Sequence, residues 1–227
     1  MAITIFKDLS QVLENDMPVY PGSKPAVIIQ ESCFTLEGFN ELSLQIFTHS
    51  GTHVDCGYHM LAGGSDTLTT SIDRFFGSGM VIDCRHFATD RIITREHLNR
   101  HEQLIRGSEF ILLHTGWSQF WGHIRYYHGF PVMSPDAAKY LTGFTLKGIG
   151  CDAPGFDPVE STDFPVHNMI LSAGMILVEN LVNLDSLPES GFMFSCFPLR
   201  IKDGDGSPVR AVGIVTRDKG QGTGGQG

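Results

Sequence analysis

The sequence predicts a single α/β domain built on a mixed β-sheet. Three observations carry this prediction. Apolar runs of strand length recur along the 227 residues, short capped helical segments fall between them, and no linker or internal repeat divides the chain.

Taken in order, Glu41 to Thr48 alternates apolar and polar residues at its start and is rich in β-formers near its end. Gly79–Cys84, Phe110–His114, Met175–Val178 and Ala211–Val215 are short apolar runs, typical of buried strands. Thr94 opens one helical segment as its N-cap. Ser134-Pro135-Asp136 opens a stronger one, with a capping hydroxyl, proline in the first turn and an acid near the helix N-terminus. A third runs from Pro165 to Leu171. The domain is expected to span 1–219. The segment 220–227 reads GQGTGGQG, and its formal GxGxxG match precedes no helix that could hold a phosphate. It is expected to be a flexible tail.

Composition narrows the function. Apolar residues form 41% of the chain and charged residues 18%, a globular mixture, and 16 basic against 25 acidic residues leave a net charge of -9. No basic run offers a phosphate-binding face, so nucleic acid is not an expected partner. No apolar stretch reaches membrane-spanning length and no signal peptide is visible. The five cysteines are scattered, without CxxC spacing. They fit free thiols in a reducing compartment, and the cytoplasm is the expected location.

The chemistry concentrates in His49-Ser50-Gly51-Thr52-His53-Val54-Asp55-Cys56-Gly57-Tyr58-His59. Imidazole nitrogen and carboxylate oxygen are standard ligands of zinc and similar divalent ions. In an extended strand residues two apart share a face, so the odd-numbered positions from 49 to 59 would point one way. Two glycines with β-branched Thr52 and Val54 argue against a helix, leaving a strand end that passes into a tight loop.

This run resembles the HxGTHxDxPxH motif of the cyclase family of metal-dependent hydrolases, which includes bacterial kynurenine formamidases and isatin hydrolases. His49, Gly51, Thr52, His53, Asp55 and His59 match in place. Gly57 stands at the usual proline, a change expected to loosen the loop holding His59. Met17-Pro18-Val19-Tyr20-Pro21-Gly22, His114-Thr115-Gly116-Trp117, Gly150-Cys151-Asp152-Ala153-Pro154, and Val166-His167 with Val178-Glu179-Asn180-Leu181 extend the likeness over nearly the whole chain.

The resemblance implies a swivelling β/β/α-type cyclase fold and a homodimer or larger assembly. It implies one or two divalent ions, commonly zinc and in some members manganese. His49, His53 and Asp55 would serve the first ion, and Asp55, His167 and Glu179 the second. His59 would carry the proton, and Tyr20 would wall the pocket for an aromatic small molecule. The implied reaction is hydrolysis of a non-peptide C–N bond, in a formamide such as N-formylkynurenine or a cyclic amide such as isatin, by a metal-activated water. A ligating role for His59 and a core role for Tyr20 stay open at this point. So do a lactone-type substrate and a catalytically silent, ligand-binding member of the family. A Cys56 nucleophile is disfavoured, because a strand would turn it away from His53, and neither a GxSxG elbow nor an HExxH helix is present.

Overall fold

The computed structural model describes residues 2–86 and 91–218; the segment expected to be a tail, 220–227, lies outside them. In chain order the strands are β1 (Ala2–Asp8), β2 (Val27–Ser32), β3 (Glu41–Gln45), β4 (His53–Asp55), β5 (Phe76–Asp83), β6 (Ile92–Ile93), β7 (Phe110–His114), β8 (Val132–Met133), β9 (Gly148–Cys151), β10 (Ile176–Glu179), β11 (Ser190–Ser195), β12 (Gly206–Pro208) and β13 (Val212–Asp218). The α-helices are α1 (Phe34–Glu37), α2 (Arg95–Asn99), α3 (Glu102–Arg106), α4 (Pro135–Leu141) and α5 (Pro165–Ser172).

Nine strands share one mixed sheet in the order β1-β13-β11-β5-β7-β9-β10-β4-β12. The middle strands β5, β7, β9 and β10 run parallel, and antiparallel strands extend both sides. Met80, Ile82, Ile111, Leu113 and Leu177 pack beneath α4 and α5 on one face. Val81, Phe110, Leu112 and Val178 pack against Phe192 and Phe194 on the other. Strands covered on both faces need an apolar residue at every position, which is why they read in sequence as unbroken runs.

The expected helix starts hold. The Ser134 hydroxyl accepts the Ala137 N–H at 3.2 Å, Thr94 caps α2 together with His97, and Pro165 stands in the first turn of α5. The strand expected over 41–48 is shorter and does not enter the core. It ends at Gln45, pairs among the described residues only with β2 and is exposed throughout. Phe34, Phe39 and Phe47 read more readily as core residues than as pocket, yet they stand 68%, 53% and 49% exposed. Alternation marks one apolar face; it does not say that anything covers that face.

The loop after β4 is tight despite Gly57. Tyr58 N–H donates to Ser65 O at 3.0 Å and Leu61 N–H to Gly57 O at 2.9 Å. A Cβ on Gly64 would lie 2.3 Å from the Gly57 carbonyl carbon, so two backbones meet there in direct contact. Gly64→Ala is therefore expected to cost about 1–3 kcal/mol by overpacking. Thermal melting should show a fall of roughly 2–10 °C; an unchanged midpoint would show that the loop can part freely.

Candidate metal centre

The ligand types meet because β4 lies between β10 and β12. Glu179 pairs directly with His53 across the β4–β10 ladder, and Gly206 of β12 pairs with Asp55. His53 and Asp55, two apart on a strand, share a face as the alternation predicts. That alternation does not reach further. His49 enters from a turn in which Gly51 has φ +62°, and His59 sits in a 3₁₀ turn, Gly57–His59. A Cβ on Gly206 would stand 2.8 Å from His49 Cε1, so this glycine makes room for the ring. His167 arrives from the first turns of α5, the crossover between β9 and β10.

The distances are short. His49 Nδ1 lies 2.7 Å from Asp55 Oδ1, and His53 Nε2 lies 3.3 Å from the same oxygen and 3.4 Å from Glu179 Oε2. His167 Nε2 lies 3.0 Å from Glu179 Oε1 and 3.9 Å from Asp55 Oδ2. Among the described residues two donor groups have ligand atoms close enough to hold an ion, His49–Asp55–His59 and His53–Asp55–Glu179. Asp55 belongs to both, His59 stands among the donors, and His167 reaches them through Glu179. Tyr20, His49, His53, Asp55, His59, His167 and Glu179, the residues singled out in the sequence, all line one cavity of about 420 Å³. Aromatic residues line it too, Tyr20, Phe47, Tyr127 and Phe164 among them. Tyr20 is 42% exposed, its ring edge-on to Tyr127 and its hydroxyl donating to Val159 O at 3.2 Å, so it is a wall and not core.

Electrostatics follow from burial and pairing. Burial opposes charge on His53, but hydrogen bonds and charges from Asp55 and Glu179 outweigh it and push the imidazole up to about 10. Burial likewise opposes charge on His167, and Asp157 and Glu179 raise it to about 10. Burial works to raise the Asp55 carboxyl, yet His49 and His53 hold it well below the usual carboxylate range. His59 goes the other way, since burial pulls it below the ordinary imidazole value. Cys56 is buried, and burial pushes its thiol up to about 12, which leaves it inert as a nucleophile.

Three supporting residues were not singled out from sequence. Asp157 accepts His167 Nδ1 at 2.7 Å as well as the N–H groups of Val166 and His167. Asp205 Oδ2 lies 2.9 Å from His49 Nε2 and 3.6 Å from His59 Nδ1. Asn180 donates to Gly51 O at 2.8 Å. Asp157 stands ten residues before His167 and Asp205 follows an Asp-Gly pair, neither of which is a recognisable spacing. Only folding reveals them.

These donors suit a divalent ion. They are nitrogen and oxygen only, and the outer nitrogens of His53 and His167 are occupied by Gly51 O and Asp157, which turns each Nε2 inward. Comparison with known proteins agrees. The family model described as "Putative cyclase" matches residues 7–158. A protein named kynurenine formamidase from Bacillus mycoides (strain KBAB4) is 30% identical over 206 residues, covering 90% of this chain and 95% of that one. The crystal structure of an isatin hydrolase bound to the product analogue thioisatinate superposes with a TM-score of 0.85 at 26% identity, covering 94% of this chain and 93% of that one. A structure titled as a predicted metal-dependent hydrolase from Bacillus stearothermophilus gives 0.75 at 26% identity, covering 93% and 98%. The family match spans more than half of the chain and the relatives nearly all of it, and this protein therefore belongs to the cyclase family, whose histidine motif it resembles in sequence.

Proposed function

We propose that this protein is a metal-dependent hydrolase that cleaves the C–N bond of a formamide or cyclic amide carried by a small aromatic molecule. The observation that carries this reading is the convergence of four imidazoles, His49, His53, His59 and His167, with the carboxylates of Asp55 and Glu179 in one cavity that Tyr20, Phe47, Tyr127 and Phe164 also line. His49, His53 and Asp55 would hold a first ion, and Asp55, His167 and Glu179 a second. Zinc suits the set best, with manganese as the alternative. When bound, such an ion polarises a substrate carbonyl and lowers the pKa of a water from 15.7 toward about 7.

The chain's own side chains supply the rest. Tyr20, Phe47 and Tyr127 hold the aromatic part of the substrate and exclude bulk water from the floor. His59, neutral at pH 7 and at the cavity wall, takes the proton of the attacking water and returns it to the leaving nitrogen. Asp205 Oδ2 lies 3.6 Å from His59 Nδ1, while its hydrogen bond goes to His49 Nε2 at 2.9 Å.

Purified protein stripped with a chelator and assayed on N-formylkynurenine and isatin should lose more than about 100-fold of its turnover and recover it with Zn²⁺ or Mn²⁺. Full turnover without metal would end this reading. Bound metal with no turnover on formamides, lactams or lactones would point to a silent family member.

We further place the protein in the cytoplasm as a homo-oligomer. Five free cysteines support a reducing compartment; among the described residues no helix is long and apolar enough to cross a membrane. The β2–β3 hairpin with α1 supports self-association, because two-stranded hairpins are marginal alone and this one leaves Ile29, Phe34, Leu36, Phe39, Leu42 and Leu44 exposed. At about 200 Å² per aromatic side chain, Phe34 and Phe39 alone leave roughly 240 Å² in water. With the aliphatic residues the arm approaches the ~800 Å² per partner of a standard interface. Sedimentation should show a dimer or larger for the native chain and a shift toward monomer for L42E with L44E. A monomeric native chain would overturn this.

A further inference from the structure

We propose that Asn180, itself oriented by Tyr126, is a positioning residue that presents His53 to the metal; this rests on the proposed metal centre. Asn180 follows Glu179 directly and is 3% exposed. Its φ of +59° is a left-handed conformation that asparagine tolerates better than most residues.

The hydrogen bonds around it form a connected chain. The Tyr126 hydroxyl donates to Asn180 Oδ1 at 2.8 Å, and Asn180 Nδ2 donates to the Gly51 carbonyl at 2.8 Å. A carbonyl can only accept, so chemistry fixes which end of the amide faces Gly51. The same carbonyl lies 3.0 Å from His53 Nδ1. Asn180 Nδ2 also lies 3.4 Å from Nδ1, but Gly51 O is nearer and cannot donate, so that shorter contact puts a proton on Nδ1, and in the neutral ring the lone pair is then on Nε2. That atom faces Asp55 and Glu179 at 3.3 and 3.4 Å. A second tie holds the same turn, since the Thr52 hydroxyl donates to Asn180 O at 2.6 Å.

Gly51 sits at φ +62°, so its peptide owes its direction to these ties more than to its own conformational preference. Without the Asn180 amide the carbonyl is free to swing, and His53 loses the acceptor that sets its tautomer. Groups that orient a ligating histidine in this way are worth about 10–100-fold in metal affinity.

The test is the Zn²⁺ dissociation constant of purified full-length protein, read by competition with a chromophoric chelator, together with melting of the metal-free form. Asn180→Gly suits the left-handed backbone and is expected to weaken Zn²⁺ binding by about 10–100-fold. Tyr126→Phe removes one oxygen, keeps the buried ring, and is expected to weaken it by about fivefold. Affinities within twofold of the native chain in both variants would overturn the proposal, as would a lower melting temperature with affinity unchanged. If the native chain itself takes up no Zn²⁺, the metal reading fails and this proposal fails with it. Native uptake with unaltered variants overturns this proposal alone.

Discussion

Asp55→Asn is expected to lower kcat/KM by about 1,000-fold or more and to empty the centre of metal. The substitution keeps shape and removes one negative charge, so what it reports is electrostatics. Asp55 is 1% exposed and lies within 2.7 Å of His49 and 3.3 Å of His53. Among the described residues it belongs to both donor groups that could hold an ion. Losing several kcal/mol of charge stabilisation at about 1.36 kcal/mol per decade gives at least three decades. The variant should also melt lower, because buried imidazoles lose their counter-charge, a change worth about 3–5 kcal/mol. Metal analysis and steady-state kinetics on the same preparation decide the matter. A variant that keeps stoichiometric metal and stays within tenfold of native activity would remove Asp55 from the centre.

For His59→Asn the expected loss is about 100- to 10,000-fold in kcat, the usual worth of a positioned proton carrier, with metal content unchanged. The two readings of His59 separate on that second measurement, since a ligand would take metal with it when removed. The native pH profile carries the same information. Burial lowers the pKa of His59, so the base form persists to lower pH than for an ordinary imidazole near 6.5. The acid limb of kcat/KM should accordingly fall below that value and disappear in the variant. An acid limb that survives the substitution would assign the titration to another group.

How much of this was legible beforehand varies by element. His53 and Asp55 were readable as a pair because strand alternation is a local rule. His49 and His59 were readable as chemistry but not as geometry, since turns and not one long strand deliver them. Three of the parallel strands, β5, β7 and β10, announced themselves as apolar runs; β9 did not, its Gly148 and Gly150 breaking the pattern, and the run Ala211–Val215 lies largely in antiparallel β13. The β2–β3 arm did not, because its alternating sequence is that of a strand packed on a core, whereas here it projects into solvent. Asp157 and Asp205 carry no local signature, and Asn180, though inside the Val178–Leu181 stretch, gains its meaning only from the Gly51 carbonyl set beside it.

By itself, then, the sequence determined the kinds of ligand and the spacing of the first cluster, because covalent separation along an extended chain limits which side chains can share a face. The tertiary structure decided that Glu179 would stand opposite His53, that α5 would carry His167 into the same cavity, and that Gly206 would leave space for His49. Those outcomes depend on strand order in the sheet, with β4 inserted between β10 and β12. Strand order is set by burying two apolar faces at once, a property of the whole chain that no short stretch of it contains.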